Sequence, residues 1–513
     1  MNAKNSLCMN RKIILPALSL MLLSTGLNAQ TFDVIERRDF WNAGRNVNGI
    51  RTDSVTVSYA ELYGNYTCGR NRDISDPATE WTAGASAATI THLEKFSMTG
   101  KFSFMNVEGK NACGSMSSRP GYYPVDIYEF TPGRKTRQVY SFTGGISVDL
   151  GDSWRIGGKM DFVSQNYTKR KDLRHTDYLL DMTVVPSLLW HRGDIAAGVS
   201  GIFSKNSETI TAEELGITSG VYYAFLDKGV MYGTYDIWDN AGLHIKESGV
   251  NGFPSREISC GGALQFQWRN LYAEAEFLDS DGSSGEKQKI WYNFGGWSAG
   301  LKAGWKLQGA GGDHYFRGRY SFRSQDNDEN VLEDVTENGV TITHNYGSNR
   351  ILSRQSGSAE LEWEMICGNG NQFCAGADWD QERDVSSVMY PYVMGRRLDV
   401  FRFYVGFMFR FGRFDWKLRV DSRRGWNDED SRKSREDTGV SGEPYRLEDY
   451  YARTLDYRTA KMAGSSMSLR YNFRKGIYIE PGFNCLERVN SGKSIFRLNK
   501  SRFAGSLKLG YDF

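Results

Sequence analysis

Residues 399–421 read DVFRFYVGFMFRFGRFDWKLRVD. Taken two at a time, Phe401, Phe403, Val405, Phe407, Phe409 and Phe411 fall on one side, and Arg402, Tyr404, Gly406, Met408 and Arg410 on the other. After Gly412-Arg413 the alternation resumes, with Phe414, Trp416, Leu418 and Val420 set against Asp415, Lys417, Arg419 and Asp421. Successive side chains of a strand point to opposite faces, so this is a hairpin with one apolar and one charged face. A water-soluble hairpin can do the same by laying its apolar face on a core. Recurrence of the pattern along the chain favours a transmembrane barrel instead.

From Val55 onward, alternating segments are joined in turn by tight connections and by long polar ones. Tight turns are expected near His92–Lys95, Gly151–Ser153, His191–Asp194, Arg269–Asn270, Gln308–Asp313, Gly368–Asn371, Gly412–Arg413 and Arg474–Gly476. Long polar loops are expected over Asn106–Thr136, Lys205–Ser255, Gln325–Asn349 and Gly425–Leu455, the second of them folding inward. Short turns on one side and long loops on the other are the asymmetry of a bacterial outer-membrane barrel. The expected fold is therefore all-β, an antiparallel up-and-down barrel of about eighteen strands, with sixteen as the alternative. Trp154, Trp190, Trp268, Trp305 and Trp416 lie beside the short turns, where an interfacial aromatic girdle belongs. At the C-terminus Phe503, Gly505, Leu507, Leu509, Tyr511 and Phe513 alternate with Ala504, Ser506, Lys508, Gly510 and Asp512.

The chain begins like a secretory leader, residues 1–29. Lys4, Arg11 and Lys12 precede an apolar run from Ile13 to Leu23, and cleavage is expected before Gln30. That run is shorter than the roughly 20 residues a membrane helix needs. Residues 30–53 do not alternate and form an N-terminal periplasmic or lumenal segment, with Phe40 and Trp41 as anchors; residues 54–513 form the barrel. With 56 Gly, 10 Pro, 28 Tyr, 28 Phe and 13 Trp the chain is aromatic and turn-rich, yet polar on average. Removing the three leader cations leaves 60 basic against 61 acidic residues, which argues against a nucleic-acid partner.

If the aromatic faces meet lipid, the opposite faces line the lumen. They carry Arg317, Arg319 and Arg323, then Glu360, Glu362 and Glu364, then Asp378 and Asp380, then Arg402, and then Asp415, Lys417 and Arg419. Rows of opposite sign on neighbouring strands either pair into a stiffening lattice or guide a solute. None of the six histidines has metal-site spacing or a catalytic signature, so no catalytic residue, metal or cofactor is expected; a rim enzyme would have to use a group such as His244. Cys68 and Cys113 are a candidate disulfide joining two outer loops, whereas Cys367 and Cys374 fall on opposite rows. Tyr445, Tyr450, Tyr451 and Tyr457 are candidate contact residues in a long outer loop.

The Asn28-Ala29-Gln30 cleavage region, the FWNAGRNVNG stretch from Phe40, the barrel pattern and the terminal Tyr511 and Phe513 together resemble outer-membrane barrels of the Bacteroidota, within a family known only as a domain of unknown function. Lys508 departs from the usual terminal-strand signal, where many such barrels carry glycine. The resemblance implies location and architecture. The expected role is a non-enzymatic transport component in contact with outer-membrane lipid: a passive pore, or an accessory subunit beside a TonB-dependent importer and surface lipoproteins. A rim enzyme and a structural or secretion-linked barrel are the alternatives. An open charged lumen would mark the pore, and a closed lumen the accessory subunit.

Overall fold

The computed structural model describes residues 39–51, 56–171, 173–212, 223–237, 252–286, 289–309, 311–388, 392–430, 445, 447–489 and 501–513. The expected leader, residues 1–29, lies outside them. The strands are β1 (Val57–Gly69), β2 (Thr79–His92), β3 (Phe96–Ser115), β4 (Asp126–Asp149), β5 (Trp154–Lys169), β6 (His175–Arg192) and β7 (Ile195–Ala212). A short hairpin follows, β8 (Tyr223–Asp227) and β9 (Gly233–Ile237). Then come β10 (Phe253–Trp268), β11 (Leu271–Glu286), β12 (Lys289–Gly309), β13 (Gly312–Glu337), β14 (Val340–Cys367), β15 (Gln372–Ser386), β16 (Met394–Phe411) and β17 (Phe414–Asp430). A helix, α1 (Leu447–Thr459), precedes β18 (Met462–Asn472), β19 (Ile477–Arg488) and β20 (Ser501–Asp512).

Eighteen of the twenty described strands form one closed antiparallel barrel. Consecutive strands pair, β7 pairs directly with β10 across the inserted hairpin, and β20 returns to β1 from Tyr59↔Asp512 to Gly69↔Arg502. Closure leaves no unpaired edge, the condition for placing a sheet in lipid. The eight tight turns lie where the alternation breaks. No described helix is long and apolar enough to cross a membrane, which says nothing of strands.

Parity separates the two faces. On β16, Phe403 is 59% exposed on the outside, whereas Tyr404 is 4% exposed within. Leu264, Phe277, Leu301, Leu361 and Leu507 continue the outward apolar belt, and Trp154, Trp268 and Trp305 stand exposed beside the short turns. A closed barrel with such a belt and girdle is an outer-membrane protein.

Four expectations are corrected. Asn106–Thr136 is a loop only over 116–125, because β3 runs on to Ser115 and β4 starts at Asp126. Gln325–Asn349 is ladder, irregular only at Asn327/Asp328 and Asn330/Leu332: β13 and β14 stay paired up to Glu337↔Val340 and turn at Asn338-Gly339, both at positive φ. Asn-Gly is the favoured two-residue hairpin turn, and beyond the lipid a strand needs no apolar face, so the polar composition of this stretch hides it. The disulfide does not form. Cys68 and Cys113 are free thiols; Cys68 shares the outward parity of Leu62 and Tyr66, whereas Cys113 is buried inside among Phe225, Tyr450 and Tyr451. The wall of the barrel separates them. Nor is the tyrosine set displayed to partners, because Tyr450 and Tyr451 are buried faces of α1, Tyr445 packs on Phe130, and Tyr457 lies under the Arg423 guanidinium.

Two strand crossings explain how large rings fit the lumen wall. Glu362, Gly376 and Tyr404 are successive register partners on β14, β15 and β16. Tyr404 reaches across Gly376, where any Cβ would strike its ring, and donates to Glu362 Oε2 at 2.8 Å. The arrangement recurs at Glu61, Gly510 and Tyr478, with Tyr478 Oη donating to Glu61 Oε2 at 2.9 Å. Arg419 and Arg470 cap the two rings, 3.7 and 3.5 Å from their centroids.

Candidate functional site: the lumen and its two chambers

The inward rows sit where parity puts them. Arg317 Nη1 donates to Glu362 Oε1 at 2.9 Å and to Glu364 Oε2 at 2.7 Å. Arg402 Nε meets Asp378 at 2.7 Å, Arg323 meets Glu257 at 2.6 Å, and Arg410 Nε meets Asp415 at 2.8 Å. Lys417 bonds Glu480 on the next strand but one, and Arg419 lies on the Tyr404 ring. These pairs build a lattice without filling the lumen. Arg319 and Glu360 stand 3.9 Å apart with side chains 57% and 45% exposed, and Arg402, Lys417 and Lys508 are 48%, 44% and 43% exposed. Inside a closed barrel, such exposure is exposure to lumenal water.

At the periplasmic end the segment 39–51 folds inward against β4, β6, β10, β11 and β12. Trp41 is 1% exposed, edge-on to Tyr272, and its indole N–H is held by Gln267. Gly49 lets the chain double back on Trp41, leaving no room for a Cβ. Arg45 grips Glu276 with two bonds of 2.6 and 2.9 Å. Asn46 donates to Leu188 O, Asn48 donates to Ser187 O, and Ser147 Oγ donates to Asn48 Oδ1 at 2.7 Å. Arg51 caps the Leu93 and Glu94 carbonyls at the β2–β3 turn. Phe40 packs in the notch over Gly304, so Phe40 and Trp41 both lie against the barrel wall. The segment's contacts run along β4, β6 and β10–β12 and reach the base of β13, where Phe40 lies edge-on to the buried Tyr315.

At the outer end three pieces fold into the mouth. The β3–β4 connection is strapped by Ser117 and Ser118, whose hydroxyls donate to Glu208 Oε1 at 2.8 and 2.7 Å. The β8–β9 hairpin adds to the tip of β4, pairing Asp126–Tyr128 with Phe225–Asp227, so the described part of the connection between β7 and β10, residues 223–237, folds inward. Helix α1 crosses the mouth. Thr454 bonds Asp73, Arg488 bonds Asp456 at 2.8 Å, and Arg458 holds Glu382 with bonds of 2.8 and 2.6 Å.

Beneath these pieces lies an outer chamber of about 670 Å³, whose wall includes Asp73, Tyr123, Asp126, Asp227, Arg354 and Arg396. A second chamber of about 560 Å³ lies in the mid-lumen, walled by Glu276, Arg323, Asp380, Arg402 and Arg423. Ser356, Glu382 and Arg458 border both. The Arg458–Glu382 pair therefore stands where the two spaces meet.

None of the described histidines borders either chamber, and His244 lies outside the described residues. Among the described residues no group of three or more His, Cys, Asp or Glu is placed to hold a metal. Glu382 and Asp384 continue the inward row of Asp378 and Asp380, a signal present in the alternation. Arg458, Asp126 and Asp227 carry no such signal, because the inward folding of the loops brings them together.

Solved structures similar to this chain include the FrpB iron transporter from Neisseria meningitidis, at 10% identity and a TM-score of 0.44 over 91% of this chain and 83% of that one. The copper transporter OprC is similar at 7% identity and a TM-score of 0.37, over 88% and 80%. The ferric enterobactin receptor PfeA from Pseudomonas aeruginosa is similar at 8% identity and a TM-score of 0.40, over 90% and 82%. The ligands in those names belong to those proteins. No curated protein matches the chain. A family model described as "Family of unknown function (DUF6850)" matches residues 49–513, from the end of the inward-folded segment to the last strand. The chain belongs to that family.

Proposed function

We propose that this outer-membrane barrel is a non-enzymatic conduit for small polar solutes, closed at its outer mouth in the conformation described. The observation that carries the proposal is the set of water-exposed charges at Arg319, Glu360, Arg402, Lys417 and Lys508, on the inner wall of a closed barrel. A lattice made only to stiffen the wall would bury its charges in pairs; Arg319, Arg402 and Lys417 instead present much of their surface to the lumen. The route from outside passes the outer chamber, the Arg458–Glu382 pair and the mid-lumen chamber.

The test is single-channel conductance of the purified mature protein in a planar bilayer. Arg458→Ala and Glu382→Gln each remove a two-bond tie between α1 and the wall, and each is expected to raise the open probability several-fold over the wild type. Neutralising Arg319 is expected to shift ion selectivity. A variant lacking 431–461 that inserts and still passes no current would overturn the conduit.

The inward-folded outer loops favour a second reading, an accessory subunit of a TonB-dependent importer with surface lipoproteins, in a member of the Bacteroidota. Co-purification of such an importer from native membranes, with a silent bilayer, is the result it expects.

A further inference from the structure

We infer that the outward face of β15–β17, at its extracellular end, binds the phosphate group of an anionic lipid headgroup. The site lies on the lipid side of the wall and does not depend on whether the lumen conducts. Trp379, Phe401 and Trp426 mark the level at which the apolar belt ends. Trp379 stacks on Phe401 with centroids 6.1 Å apart, and Trp426 meets Phe401 edge-on at 5.4 Å. Below them Phe403, Val405 and Val420 stand exposed on the same face. The tight turns of these strands are at the opposite, periplasmic end, so the aromatic row belongs to the outer leaflet.

Four cations stand at or just above that row. Arg383 and Arg397 keep the outward parity of Trp379 and Phe401 and lie four residues beyond them, about 13 Å along the strand. Arg424 is the register partner of Phe401 itself, and Lys461 precedes Met462, the partner of Arg423, which sets it beside Arg424. All four are exposed. Two acids share the face. Asp399 is taken up by its neighbours, accepting from Trp379 Nε1 at 3.1 Å, Gln381 Nε2 at 2.9 Å and Arg397 Nε at 2.8 Å. Asp428 is the register partner of Arg397. Among the described residues Arg383, Arg424 and Lys461 have no ion-pair partner.

This placement is costly without an anion. Arg383 and Arg397 are direct register partners, and like charges opposite each other destabilise a strand pair. On the β13–β14 extension the chain answers a cation with its own acids, Arg350 bonding both Asp326 and Asp328. On β15–β17 the answering charge comes from outside. What covers this face is lipid, because the outward apolar belt runs up to it, and above an aromatic row lipid presents its headgroups. A guanidinium takes a phosphate by two parallel N–H···O bonds, and long basic side chains reach along the wall to the headgroup level. The Arg424 guanidinium is held at that level by the Trp426 ring, 5.0 Å from its centroid. A zwitterionic headgroup would add a positive charge to a face where four cations already stand against two acids.

The experiment is native mass spectrometry of the full mature chain in detergent micelles, titrated with dioleoylphosphatidic acid. Dioleoylglycerol and dioleoylphosphatidylcholine are the controls, with the same acyl chains but without the phosphate or without its net charge. Phosphatidic acid is expected to be retained at least about fivefold more strongly than either. The triple variant Arg383→Gln, Arg424→Gln, Lys461→Gln is expected to lose that preference, and Arg256→Gln, an exposed arginine on the outward face of β10, to keep it. Equal retention of the three lipids by the wild type overturns the site. So does a preference that the triple variant keeps, or one that Arg256→Gln loses equally. Release of phosphatidic acid by millimolar inorganic phosphate would assign the patch to a soluble anion and also overturns it. The comparison of the three lipids uses the wild type alone, so a variant that inserts poorly leaves the test intact.

Discussion

Burial pushes the Asp227 carboxyl up to about 6, against the pull of the Gly229 and Met231 amides and of the Arg354 guanidinium. A carboxyl raised on folding holds its proton longer in the folded chain than in the unfolded one. Its contribution to stability is complete below the ordinary carboxylate range and is lost as pH rises through about 6. At Gly376 the prediction concerns packing. Gly376→Ala puts a methyl group into the Tyr404 ring and breaks its bond to Glu362, at a cost of about 1–3 kcal/mol in urea unfolding from lipid vesicles. Single residues were legible to the extent that parity governed them. Arg317, Glu362 and Lys417 follow from alternation alone, and Glu382 needed only two more steps along the Asp378 row. Asp126 and Asp227 meet through a loop that turns inward, and no local pattern announces that pairing.

Among the elements, α1 and the segment 39–51 close opposite ends of the barrel by different means. The segment is tied by amides and indole to wall carbonyls, and by the charged pairs Arg45–Glu276 and Arg51–Asp149. Arg45→Ala is expected to loosen it locally by about 1–3 kcal/mol, without unfolding the strands. Faster trypsin cleavage after Arg51 in the folded barrel is the readout, and a rate equal to wild type would show that the pair does not hold the segment. Helix α1 has little amphipathic signal of its own and flanks a run of charge; its core face is Leu447, Tyr450 and Tyr451. Those tyrosines look like surface contacts in the sequence because nothing local reveals that the helix turns into a mouth. The β13–β14 extension was hidden for a related reason. Alternation of polarity reports lipid on one side and water on the other, and it vanishes once both sides of a strand are wet, although the ladder continues.

For the whole molecule, lipid is the solvent that made the fold readable. It imposes a period of two on every spanning segment, which is why strand number and turn positions followed from the sequence while the contents of the lumen did not. Leu361, 66% exposed on the outer wall, tests that reading: Leu361→Arg is expected to cost about 2–4 kcal/mol in refolding into vesicles, whereas Arg319→Ala on the inner wall is expected to cost far less. The inward-folded N-terminal segment also carries a consequence for time. Its partners include Gln265, Glu276 and the Lys302 region, from 219 to 259 residues further along the chain, so a segment made early must wait for partners made much later. A half-built barrel would trail that segment as a free arm, and its docking would mark the moment at which assembly is finished.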